Sequence, residues 1–238
     1  CAKHFIGYPL PRTGHDRAPS WIPTRHLYQY FVLPWIKVMK ETNIMTVMES
    51  YTETDGVPNV ANAQHLRYLL RYRLQFDGVL VTDYEEINNL NTWHHIVKET
   101  DGSVVAATEY ALREGTVDMS MIPWNIDGFV NAAVDAVEKR KVVHENRIHE
   151  SAKRVLKLKY KLGMFNAEEE MTTENSGTTT NKQAEALEMT RQSLILAENR
   201  QDLLPLKVDA QGLKLLVTGP TANSRIAQSG GWTVGWQG

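Results

Sequence analysis

Cysteine is nearly missing from this chain. Cys1 is the only one in 238 residues, which excludes any disulfide within the chain. No apolar run approaches the length of a membrane-spanning helix. No Asn-x-Ser/Thr glycosylation sequon occurs, and no leader segment is recognisable. Charge of one sign is also lacking: 26 basic residues against 28 acidic ones leave a formal net charge of -2. Without a basic tract, neither nucleic acid nor an anionic membrane is expected as a partner. Metal-ligand spacing is absent as well. The adjacent His94 and His95 face apart on a helix, with no acidic residue spaced to complete a site with both. No metal and no cofactor are therefore expected. What is present is a globular apolar share of 42%, enough for one large domain or two smaller ones.

In order along the chain, 2–8 reads as a strand-like stretch, and 9–23 is too rich in Pro, Gly, Arg and Asp for a regular element. A loop of that length is usually functional or mobile; it holds Arg12, His15, Asp16, Arg17 and Trp21. A helix is predicted from Thr24 to about Asn43, kinked or divided at Pro34. Strands follow at 44–48, 77–82 and 117–121, with helices at 62–73, 103–113, 129–138 and 145–161. On the last of these helices Ile148, Ala152, Val155, Leu156 and Lys159 are expected to face a core, with its lysines and arginines solvated. The acidic, Thr-rich stretch 166–181 reads as a surface excursion, 183–199 as a helix, and 213–218 as a fifth strand-like run. Repeated strand–helix units imply a parallel sheet with helices outside it. About half the strands of an eight-stranded barrel are visible. The expected fold class is α/β: the C-terminal part of a (β/α)8-type barrel, then the beginning of an α/β sandwich domain.

The stretch Phe76 to Glu86, FDGVLVTDYEE, is the centre of this pattern. A short, partly β-branched apolar run ends at Thr82 and Asp83, and the carboxyl ends of parallel strands carry chemistry. Asp83 there is either a nucleophile or a cap on the next element. Similarly, Lys3 and His4 at a strand edge either present donors to a polar ligand or decorate a surface.

Taken in order, these segments resemble glycoside hydrolase family 3, in its exo-acting β-glucosidase and glucanase branch. KHFIGY is similar to that family's Lys-His substrate segment, ESYTETDGVPN to its Ser-Tyr segment, and FDGVLVTDY to its nucleophile strand. VDMSM resembles the next strand, NRIHESAKRVLKLKYKLGMF the closing barrel helix, and LILAENRQDLLPL with LLVTGPTAN the crossover into a second domain. GGWTVGWQG is similar to a loop whose first Trp, here Trp232, stacks on sugar.

The resemblance implies hydrolysis of terminal non-reducing β-D-glucosyl residues by a retaining mechanism, with Asp83 as nucleophile. Lys3, His4 and Tyr51 would bind the sugar; Tyr84, where many members have Trp, and Trp232 would flank the next one. The implied ligand is a β-glucoside or short β-glucan. Expected boundaries are 1–165 for the C-terminal part of the barrel, 166–210 for linker and crossover helix, and 211–238 for the start of the second domain. The upstream Asp and Arg of the family's barrel, and the acid/base Glu of its second domain, have no counterpart here. The chain is therefore expected to lack the remainder of its barrel and second domain and to be inactive alone. Its full-length parent is expected to be secreted or vacuolar. Other readings are a β-N-acetylhexosaminidase or β-xylosidase of the same family, or an inactive carbohydrate-binding remnant.

Overall fold

The structure, a computed structural model, describes residues 1–98, 104–165, 183–206 and 212–229. The chain divides into two compact units, Cys1–Glu170 and Met171–Gly238. In the first, strands β1 (Ala2–Phe5), β2 (Thr46–Glu49), β5 (Val79–Tyr84) and β6 (Met119–Met121) form a parallel sheet in the order β1-β2-β5-β6. All four of the expected strands are present, in sequential order and with helices between them. A small antiparallel pair, β3 (Glu53–Thr54) with β4 (Val57–Pro58), lies in the loop after β2. β1 carries non-proline cis peptide bonds at Lys3–His4 and Phe5–Ile6 and a register shift between Ala2 and Phe5.

The first helical segment runs through α1 (Thr24–His26), a π-helical stretch Leu27–Val32 and α2 (Leu33–Glu41). Pro34 neither breaks nor sharply divides it. A proline has no N–H to bond the preceding turn, and the wider π turn just before it accommodates that loss. Gln64–Arg73 is likewise π-helical. By its sequence the segment holding Tyr84, Glu85, Glu86 and Asn88 reads as a loop, but after β5 it forms a helix, α3 (Glu86–Thr92), on which Ile87 and Leu90 are fully buried. Then come α4 (Val105–Glu114), α5 (Ile126–Glu138) and α6 (Glu145–Lys161).

One core packs Phe5, Val47 and Leu80 of the sheet against Val32, Leu66 and Leu70. A second joins Ile87 and Leu90 to Ala107, Ala111 and Val117. Gly78 is required where β5 begins: a Cβ there would stand 2.4 Å from the Met45 carbonyl oxygen and 2.5 Å from the Phe76 ring.

At the amino end of β5 and β6, α6 is fastened by charge. The Asp118 side chain is fully buried and accepts from the Leu80 N–H (2.9 Å), Ser151 Oγ (2.7 Å), Arg154 (3.0 Å) and Arg71 (2.5 Å), with Arg147 at 3.5 Å. This corrects the expectation that the arginines of α6 are solvated. The inward face of α6 includes the expected Ile148 and Val155 but is completed by Arg147, Ser151, Arg154 and Leu158, while Ala152, Leu156 and Lys159 are exposed.

In the second unit α7 (Gln183–Ser193) ends short of the expected 199, and α8 spans Arg225–Ser229. Beyond α7, Asn199 closes a turn through its side chain, bonding both the N–H and the C=O of Leu204. The run 213–218 is not a strand here: Leu216 is 89% exposed and no ladder partner lies among the described residues. A strand needs a neighbour for its backbone groups.

Candidate active site

Asp83 sits at the carboxyl end of β5 and is 3% exposed. It does not cap α3; Glu85, in the left-handed region at φ 60, occupies that position. Asp83 Oδ1 accepts the Tyr84 N–H at 2.7 Å. Asp83 Oδ2 is buried, makes no hydrogen bond among the described residues, and lies 3.3 Å from His4 Nε2. One carboxylate oxygen is thus held by the backbone, and the other faces His4.

His4 reaches Asp83 from β1. Burial lowers the His4 pKa; the Asp83 charge opposes this and that of Lys3 adds to it, so the imidazole is neutral at pH 7. Tyr8 packs its ring edge-on to His4 at 4.8 Å and bonds Asp16 through its hydroxyl. The guanidinium of Arg17 lies 4.0 Å over the Tyr51 ring, a cation–π contact. Tyr51 is buried, and its phenol is pushed up by that burial and then by the charge of Asp83. The loop 9–23 therefore closes on the site through Asp16 and Arg17. Arg12 instead stacks on the exposed Trp21 at 3.7 Å.

His4, Tyr51 and Asp83 are brought together. Lys3, beside His4 on β1, is exposed, and Tyr84 is half-buried. Trp232, expected opposite Tyr84, lies outside the described residues. No group of three or more His, Cys, Asp or Glu arranged to hold a metal ion occurs among the described residues.

Behind Asp83 is a set of buried acids that the sequence did not reveal. Glu49, the last residue of β2, is 0% exposed and accepts the Asp83 backbone N–H at 2.8 Å. Glu86, opening α3, is bonded by His94 Nε2 at 3.2 Å, while His94 Nδ1 meets Glu53 Oε1 at 2.9 Å. Burial works against a charged His94, but Glu86 and then Glu53 outweigh it and raise its pKa. Asn59 holds the loop after β2: its amide donates to Ile6 O (3.0 Å) and Ser50 Oγ (2.7 Å), and its oxygen meets His65 Nδ1 at 2.7 Å. These groups come from β2 and the loop after it, from the end of β5 with α3, and from His65 and His94 beyond, so only fragments of the set are linked by local spacing. The acidic density of ESYTE and DYEE was the available signal.

The family model "Glycosyl hydrolase family 3 N terminal domain" matches residues 1–158. A protein named "Lysosomal beta glucosidase" from Dictyostelium discoideum is 35% identical over 241 residues, covering 100% of this chain and 28% of that protein. A "Beta-xylosidase" from Formosa agariphila is 32% identical over 96% of this chain and 32% of its own length. Among solved structures, an exo-1,3/1,4-beta-glucanase from a Pseudoalteromonas species superposes with a TM-score of 0.77 at 27% identity, covering 99% of this chain and 28% of that one. The chain thus spans about a third or less of the length of these relatives.

Proposed function

The chain belongs to glycosyl hydrolase family 3, and from that premise we propose that it carries the nucleophile and part of the sugar subsite of a retaining β-glucosidase. The observation that carries the reading is the asymmetric carboxylate of Asp83, one oxygen held by the Tyr84 N–H and the other without a hydrogen bond among the described residues, facing His4 at 3.3 Å. A nucleophile needs one oxygen oriented and one oxygen free.

In this reading Asp83 Oδ2 forms a bond to the anomeric carbon as the bond from that carbon to the leaving oxygen breaks. The electron pair departs with the leaving oxygen, which takes a proton from a general acid; water later cleaves the glycosyl ester. Lys3, neutral His4 and Tyr51 would bond the sugar hydroxyls, and Tyr84 and Trp232 would flank the adjoining sugar. Glu49 and Glu86 are buried beneath Asp83, and Glu53 is engaged by His94; none of the three is assigned as the acid. The same reading makes 1–165 the C-terminal part of the barrel, 166–210 linker and crossover helix, and 211–238 the start of the second domain. It also makes the parent protein secreted or vacuolar.

The Formosa relative favours β-xylosides as the second substrate class. A xyloside lacks the hydroxymethyl group of a glucoside, a difference a pocket discriminates only modestly. Intact-mass analysis of the chain exposed to an activated 2-deoxy-2-fluoro-β-glucoside is the test. One glycosyl adduct on Asp83 is expected, absent in Asp83→Asn. An adduct on another carboxylate, or none at all, would remove the assignment.

A further inference from the structure

Glu49 occupies a position that an ionised carboxylate fits poorly. Its Oε1 accepts the N–H of Asp83 at 2.8 Å. Its Oε2 is buried and makes no hydrogen bond among the described residues. The charged groups around it are mainly negative. β5 brings Asp83; α3 brings Glu86, paired with His94 and through it with Glu53 on β3; β1, on the other side of β2, brings Lys3 and His4. A fully buried anion with one bare oxygen, beside two further carboxylates, is disfavoured by both desolvation and like charge.

We propose that Glu49 is a positioning residue for Asp83 that acts as a neutral carboxylic acid, holding the nucleophile's backbone while leaving Asp83 the anionic carboxylate that faces the sugar. The role in catalysis rests on the function proposed above; the proton on Glu49 does not. Burial pushes the Glu49 pKa well above the ordinary glutamate value, and Glu86 adds to it, which agrees with the geometry. The arrangement separates the roles of two neighbouring acids by environment: Glu49 is wholly enclosed, while Asp83 opens toward His4 and Tyr51.

The test uses the full 238-residue chain carrying glutamate labelled with carbon-13 at the side-chain carboxyl. The Glu49 resonance is assigned by its loss in Glu49→Gln. It is expected to titrate well above the exposed glutamates; titration together with them would overturn the proposal. A second arm times labelling of Asp83 by the activated fluoroglucoside. Glu49→Ala should slow labelling about tenfold or more, since displaced nucleophiles lose rate steeply. Glu49→Gln should restore most of that loss, because its amide oxygen still accepts the Asp83 N–H and carries no charge. If Glu49→Gln labels as slowly as Glu49→Ala while both give the wild-type circular dichroism, a charged Glu49 is required and the proposal fails. Glu49→Ala labelling at the wild-type rate would equally remove the positioning role. Failure of the wild type itself to be labelled overturns the glycosidase reading, and the titration then decides the proton on Glu49 independently.

Discussion

At the scale of single residues, the site is governed by how few counter-charges its acids have. His94 lies between Glu53 and Glu86, and their charges raise its pKa above the ordinary 6.5 against the effect of burial. A histidine held as imidazolium in the folded state stabilises it fully below that ordinary value, and the contribution is lost as pH rises through the raised one. His94→Asn is therefore expected to lower the thermal unfolding midpoint at mildly acidic pH and to narrow the gap from wild type at alkaline pH. Melting curves across about pH 5 to 9 check this; a deficit independent of pH would mean that His94 acts by packing alone. His65 sits in the opposite situation. Burial without a bonded carboxylate lowers its pKa to about 4, so it serves Asn59 as a neutral partner. Both are histidines near β2, and only the fold distinguishes them.

At the scale of elements, the strands were legible and some of the helices were not. Val79, Leu80 and Val81 followed by Asp83 predict an interior strand ending in an acid, and β5 is that strand. α3 was missed because Asn88, Asn89, Asn91 and Thr92 have poor helix propensity. Burial of Ile87 and Leu90 against α4 outweighs that preference. The seating of α6 was also hidden, since alternating Lys and Arg on a helix normally marks a solvated face. Its decisive partner, Asp118, is distant in sequence. Asp118→Asn should be strongly destabilising, by about 3–5 kcal/mol, because it leaves buried guanidinium groups without their counter-ion. Urea unfolding followed by circular dichroism measures it. A loss no larger than that of an exposed ion pair, below about 1 kcal/mol, would show that Asp118 does not hold α6.

At the scale of the whole molecule, β1 and β6 are the outer strands of a four-stranded parallel sheet, and the carboxyl edge of that sheet gathers the candidate site. The described carboxylates supply Asp83 with supporting acids and no assigned proton donor for a leaving group. The 238-residue chain is accordingly expected to cleave unactivated β-linked disaccharides very slowly, since general acid help is worth about 10² to 10⁴ in rate. Aryl glucosides with good leaving groups need less of it and should show the larger residual rate. Glucose release measured on both substrates tests this. Efficient disaccharide cleavage abolished by Asp83→Asn would place a working acid within residues 1–238.

The sequence by itself determined the parallel α/β class, the order of the four strands and the location of Asp83 at a strand end. Those features depend on local pattern: apolar runs of strand length, helical periodicity between them, and a polar residue where each run stops. Tertiary structure alone decided what surrounds Asp83 at one end of the sheet and what seats α6 at the other. Glu49 lies beneath it, His94 joins two acids, Arg17 covers Tyr51 where Arg12 does not, and Asp118 gathers three arginines. Burial and electrostatic pairing depend on distance in space, and these partners lie up to tens of residues apart along the chain.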